Sequence, residues 1–251
     1  MNLEGTAAIV TGGASGLGAA TATALAARGA TVHALDLTTA VGSAPTVDGV
    51  THVVADVTDP AQVAAAIDGA MASGLPLRVV VNCAGIAPSK RTVTRTGPHE
   101  TALFASVLAV NLVGTFSVMA SAASAMAGSE AVDGQRGVII NTASIAAYDG
   151  QTGQVAYAAS KGGIVAMTLP AARDLARFGI RVCTIAPGVM ETPLVATVSE
   201  EFRDALIDGV QFPRRLGRPE EFAALALAIV DHDYLNGETI RMDGALRMSA
   251  T

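Results

Sequence analysis

The 251 residues include no tryptophan, three tyrosines, six phenylalanines and only two cysteines. Cys83 and Cys183 form no C-x-x-C pair and have no His/Cys spacing around them. That argues against a zinc site and for a reducing compartment, here expected to be the cytoplasm. The four histidines, His33, His52, His99 and His232, are scattered without metal-ligand spacing, so no metal is expected. Charge is also scarce: Asp, Glu, Lys and Arg make up 15% of the chain, with a net charge of −6. An acidic balance of this kind argues against a general nucleic-acid binder. The opening M-N-L-E-G has neither a basic nor an apolar stretch, so no signal peptide is expected. Internal repeats and low-complexity linkers are absent.

What the chain has in abundance is aliphatic bulk. Hydrophobic residues make up 51% of it, enough for a large buried core, and the length suits one large α/β domain over residues 1–251. Residues 101–129 carry no charge and are long enough to cross a bilayer. They are nevertheless rich in Ala, Ser and Thr and contain Asn111 and Gly114, so a helix buried on both faces is the expectation and a membrane is not. One face would pack on a sheet and the other on a second helix, of this or another subunit.

Along the chain, short apolar runs alternate with helical patterns. Strands are expected at residues 6–11, 31–36, 52–55, 78–82, 137–143, 180–186 and 238–242. The fourth is almost pure valine, as a strand buried on both faces should be. Asp59 followed by Pro60 marks a helix start, and Pro219 starts another. Pro170 inside a helical pattern should kink it or distort a turn. The architecture expected is α/β: a single doubly wound parallel sheet with helices on both faces. Residues 189–213 are expected to form a flap over a substrate pocket.

Between the first strand and its helix lies G-G-A-S-G-L-G, residues 12–18. Glycines let the backbone approach a pyrophosphate closely, and the helix start offers free N–H groups. The spacing G-x-x-x-G-x-G is by itself weak evidence. The second strand ends at Asp36, where a carboxylate can accept both ribose hydroxyls of NAD and repel the extra phosphate of NADP. No Lys or Arg lies between Arg28 and Arg78 to favour NADP. Asp56 either bonds an adenine amine or caps local backbone. N-C-A-G, residues 82–85, supplies small residues at the end of the fourth strand. The loop 86–99 carries Lys90, Arg91 and Arg95, either a solvated cluster or a patch for substrate phosphates. Asn111, polar amid apolar neighbours, either satisfies backbone groups or holds a water that links Lys161 to solvent.

Ser144 closes the fifth strand, and Tyr157 and Lys161 stand four residues apart, one turn of helix. A cation one turn away should lower the pKa of the phenol and fit it for proton exchange with an alcohol or carbonyl. Ser144 would bond the same substrate oxygen.

Taken together, T-G-G-A-S-G-L-G, N-C-A-G, Asn111, Ser144, Y-A-A-S-K at 157–161 and P-G…T at 187–192 resemble the short-chain dehydrogenase/reductase family, whose fold is of the Rossmann type. The stretches at 134–144, 159–170, 172–176, 212–217 and 235–245 are similar to its type-2 3-hydroxyacyl-CoA dehydrogenase group. The resemblance implies a catalytic tetrad of Asn111, Ser144, Tyr157 and Lys161. It implies an NAD site lined by Gly12, Ser15, Gly16, Leu17, Gly18, Asp36, Asp56, Val57, Asn82, Cys83, Ala84, Gly85, Tyr157, Lys161, Pro187, Gly188 and Thr192. It also implies a substrate contact at Gln151, a homotetramer, and oxidation of a 3-hydroxyacyl-CoA to a 3-ketoacyl-CoA. A hydroxysteroid dehydrogenase, an acetoacetyl-CoA or acyl-carrier reductase, and a non-catalytic nucleotide-binding scaffold are the rival expectations.

Overall fold

A computed structural model describes residues 1–196 and 200–250. In chain order its elements are β1 (Ala7–Thr11), α1 (Gly16–Ala26), β2 (Thr31–Asp36), α2 (Thr38–Val41), β3 (Val50–Val54), α3 (Pro60–Met71) and β4 (Leu77–Asn82). There follow β5 (Val93–Thr94), β6 (Gly97–Pro98), α4 (Thr101–Leu108), a π-helical turn (Ala109–Gly114), α5 (Thr115–Ala127) and β7 (Gly137–Thr142). A 3₁₀ turn (Ile145–Ala147), α6 (Val155–Ala176), β8 (Ile180–Pro187), α7 (Pro193–Ala196), α8 (Glu200–Asp208), α9 (Pro219–Asp231) and β9 (Thr239–Met242) complete the chain.

Seven strands form one parallel sheet in the order β3-β2-β1-β4-β7-β8-β9. Alternate residues serve opposite layers. In β1, Ala7 and Ile9 pack with α3 and α5, whereas Ala8 and Val10 pack with α1 and α9. Burial on both faces is why the central strands are nearly continuous Val and Ile. Strand order reverses between β1 and β4, and that switch point opens a crevice beyond their C-terminal ends.

Local chemistry sets the element ends. Asp59 caps α3, accepting from Ala61 N at 2.9 Å and Gln62 N at 3.3 Å, with Pro60 in the first turn. Helix α6 is continuous from Val155 to Ala176 with Pro170 inside it. Ala166 and Pro170 both lie on its exposed face, where water can satisfy the carbonyl that proline leaves without a donor.

Three further segments take the following forms. The loop 86–99 contains the small antiparallel hairpin β5–β6. The uncharged helix is not buried on both sides: Val107, Val118, Ala122 and Met126 face the core, but Val113 and Phe116 are more than half exposed. The span Thr101–Ala127 has the length and mean hydropathy (1.9) of a membrane-crossing helix, with a third of that apolar window buried. The expected flap contains α7 and α8; its residues 197–199 lie outside the described residues.

Candidate active site

The crevice at the switch point is a cavity of about 350 Å³. The glycine turn forms its floor. A Cβ added to Gly18 would stand 2.1 Å from the Gly12 carbonyl oxygen, so any side chain there would push the turn apart. Gly12 has φ of +64°, and a Cβ on it would meet Cys83 and Ala84 backbone at 2.9 Å. The N-C-A-G segment is pinned there by Thr11, whose hydroxyl oxygen accepts from Cys83 N and Ala84 N, each at 3.1 Å. Gly12, Ser15, Gly16, Leu17, Gly18, Asp36, Asp56, Val57, Cys83, Ala84, Gly85 and Thr192 all line this cavity. Asp36 reaches across to the glycine turn, accepting from Ala14 N at 3.1 Å and from Leu37 N at 2.8 Å. Asp56 caps locally, accepting from Thr58 N and its hydroxyl, while it also borders the cavity.

At one end of the crevice, Gly85 faces Asn111 and Lys161; a Cβ on it would lie 3.2 Å from Asn111 Oδ1 and 3.6 Å from Lys161 Nζ. Lys161 is buried and donates to the Thr142 carbonyl at 2.7 Å. Its ammonium sits 5.7 Å from the Tyr157 ring centroid. Tyr157 hydrogen-bonds Ser144, whose Oγ accepts from Ala146 N at 3.1 Å. Serine, tyrosine and lysine therefore meet at one place, brought there by the end of β7 and the first turns of α6. Asn111 sits in the π-helical turn with its amide fully engaged. It donates to Ile86 O at 2.9 Å and Ser160 Oγ at 3.0 Å, and accepts from Ile86 N at 2.8 Å. Its amide thus meets the backbone-satisfying alternative and ties the edge of the crevice to α6.

Electrostatics overturn one expectation. The Tyr157 phenol is pushed up from its ordinary value by burial, with the Ser144 hydrogen bond acting against the rise. Burial likewise depresses Lys161 to about 8. Helix spacing brings the ammonium beside the ring, and burial sets the direction of the phenol's shift.

A family profile described as short chain dehydrogenase matches residues 6–202. The chain belongs to the short-chain dehydrogenase family. It is similar to 3-hydroxyacyl-CoA dehydrogenase type-2 of Bos taurus, 49% identical over 98% of this chain and 97% of that protein. It is 48% identical to the Drosophila melanogaster protein of that name, over 98% and 99% of the two chains. Among solved structures it matches a 3-hydroxyacyl-CoA dehydrogenase type-2 from Mycobacterium avium with a TM-score of 0.92, at 40% identity and covering 99% and 98% of the two chains. As a member, it is an oxidoreductase whose family implies a nicotinamide cofactor. The crevice fits such a group: Gly12 and Gly18 keep the cradle clear of side chains, and the Asp36 carboxylate stands at its rim.

Not every expected residue of this dehydrogenase reaches that crevice. Asn82 is buried in the sheet and donates to Asn141 Oδ1 at 2.9 Å. Pro187 ends β8, and Gly188 borders a separate cavity with Met242 and Asp243. Gln151 lies in a third cavity of about 450 Å³, together with Arg91, Thr92 and Gly153. Of the loop cations, Lys90 is committed to Glu100, which it contacts as an ion pair. Leu35, Leu37, Ile86 and Val110 also line the crevice and carried no signal beyond being apolar. Thr11 and Ser160 lie inside the T-G-G-A-S-G-L-G and Y-A-A-S-K motifs, but the sequence assigns them no role, because their contacts are to groups brought in from distant elements.

Proposed function

We propose that the protein oxidises a 3-hydroxyacyl-CoA to the 3-ketoacyl-CoA with NAD⁺. The convergence of Ser144, Tyr157 and Lys161 beside the glycine-floored crevice is the observation that carries this reading. The glycine turn and Gly85 would hold the dinucleotide, and Asp36 would receive its adenosine ribose and disfavour a 2′-phosphate. When bound, the cofactor supplies the acceptor for the hydride that leaves the carbinol carbon.

Tyr157 takes the substrate hydroxyl proton at its phenolic oxygen. Lys161, protonated at neutral pH with its pKa of about 8, stabilises the phenolate form that accepts this proton. At 5.7 Å from the ring and an effective dielectric of ~20, that attraction is on the order of 3 kcal/mol. It acts against the burial effect on the phenol. Ser144 Oγ accepts from Ala146 N, which leaves its own O–H to donate to the reacting oxygen. Asn111 holds Ile86 and Ser160 in place around them. The cavity beside Gln151 receives the substrate, with Arg91 positioned for an anionic part of the coenzyme A moiety.

The similarity to 3-hydroxyacyl-CoA dehydrogenase type-2 proteins supports the thioester as substrate. The uncovered Val113 and Phe116, with the neighbouring groove of Met119, Ala123, Leu175 and Phe178, support assembly with further copies of the chain, which we take to be a homotetramer. The test is the rate of nicotinamide reduction across 3-hydroxyacyl-CoA esters of graded length and branching, with NAD⁺ and NADP⁺ in parallel. Activity on free hydroxysteroids with none on the thioesters, or a preference for NADP⁺, would overturn the assignment.

A further inference from the structure

The segment from Ser144 to Gln154 leaves β7, bears the reactive serine, borders the substrate-side cavity and feeds into the helix of Tyr157. Its outer half is Y-D-G-Q-T-G-Q, residues 148–154, whose two glycines make it intrinsically soft. The sheet and α6 fix its ends, so a tie from elsewhere has to fix its middle.

Arg241 supplies one. It lies near the C-terminal end of β9, opposite Ala186 of β8, at the same sheet edge as Ser144. Its Nη2 donates to Asp149 Oδ2 at 2.6 Å and to the Leu246 carbonyl at 3.2 Å, and its Nε donates to Asp243 Oδ2 at 2.8 Å. Its guanidinium carbon stands 5.1 Å from the Tyr148 ring centroid. Arg247 joins the same Asp243 oxygen at 3.0 Å. Around this fork, Thr152 donates through both N and Oγ1 to the Ala250 carbonyl, and Ile145 packs with Val210, Leu246 and Met248. The Arg241 and Asp149 side chains are 23% and 21% exposed, too buried for a loosely solvated pair. A planar fork with separate N–H bonds also fixes orientation, which a point charge does not.

We propose that Arg241 is a positioning residue. Through Asp149 and Tyr148 it locks the outer half of the catalytic segment onto the C-terminal strand, and so sets where Ser144 and Gln151 stand relative to Tyr157. This rests on the reading of Ser144 and Tyr157 as reacting groups and does not depend on which alcohol is oxidised. A shift of about 1 Å in such groups can cost up to ~100-fold in rate.

The experiment compares Arg241→Gln, Arg241→Lys, Asp149→Asn and the double variant Asp149→Asn/Arg241→Gln in the full-length protein. The kcat for the best secondary alcohol should fall about tenfold in Arg241→Gln and in Asp149→Asn. The double variant should be no worse than either, because one link has been cut. Arg241→Lys should recover part of the loss. Affinity for the reduced dinucleotide, followed by fluorescence, should stay within about twofold, since none of these residues lines its crevice. Amide exchange should accelerate in residues 148–153 while β4 stays protected. Unchanged kcat, additive losses, or dinucleotide affinity falling in step with kcat would overturn the proposal. Dinucleotide binding and exchange need no substrate, so wild-type inactivity on acyl-CoA would sink the substrate reading alone.

Discussion

Replacing Lys161 by methionine separates its cost to the fold from its use to the site. The ammonium is buried, and its pKa falls from 10.5 to about 8 because burial penalises the charged form. Between those two values the unfolded chain binds the proton and the folded one does not, so folding is favoured as the pH rises. The penalty is therefore fully present below about pH 8 and disappears as the pH climbs towards 10.5. At about 1.4 kcal/mol per pH unit, the whole gap amounts to about 3 kcal/mol. Methionine keeps the bulk and carries no titration, and the other groups cancel when the two proteins are compared. Urea unfolding of both, at one protein concentration, should show the wild type gaining about 2 kcal/mol on Lys161→Met between pH 7 and about 9.5. The Tyr157 phenol is pushed up from its ordinary value by burial, away from this range. A difference that stays flat over that range would mean the ammonium keeps its proton in the fold, and would refute the claim that burial governs this site. Turnover should be lost in Lys161→Met at every pH, because the phenolate then has no cation beside it.

Tyr157→Phe should lower turnover by about 10²–10⁴-fold while reduced-dinucleotide binding persists; retained turnover would remove the phenol as the proton acceptor. Gly18→Ala places a methyl 2.1 Å from the Gly12 carbonyl and should weaken dinucleotide binding by tenfold or more, with about 1–3 kcal/mol lost from the fold, checked by titration and by urea unfolding. Asn111→Leu leaves both Ile86 backbone groups without their partner and should cost about 2 kcal/mol of stability, seen as a lower Tm.

The sheet was legible because parallel strands buried on both faces must be apolar throughout, and Val79–Val81 and Val138–Ile140 are. The helix start at Asp59–Pro60 was legible because a cap is a local arrangement. The Tyr157–Lys161 pairing was legible because helix period alone fixes it. The π-helical turn around Asn111 was not, since one extra residue per turn leaves no trace in an uncharged run. Nor was the ion pair of Arg241 with Asp149, residues separated by 92 positions that meet only once β9 joins the sheet.

The same division explains why spacing alone does not set the direction of the phenol's shift. Spacing along one helix reports which charge stands beside which. The cost of charging a group depends on how much water the other elements have displaced from it, and those elements lie far away in sequence. At Tyr157 burial raises the phenol, the Ser144 hydrogen bond acts against it, and burial prevails. The phenol therefore depends on its surroundings for acidity: on Lys161 remaining protonated and on the segment that carries Ser144 being held in register. A change at Arg241, a residue placed by the last strand of the sheet, should thus be felt in the chemistry of a tyrosine that it does not touch.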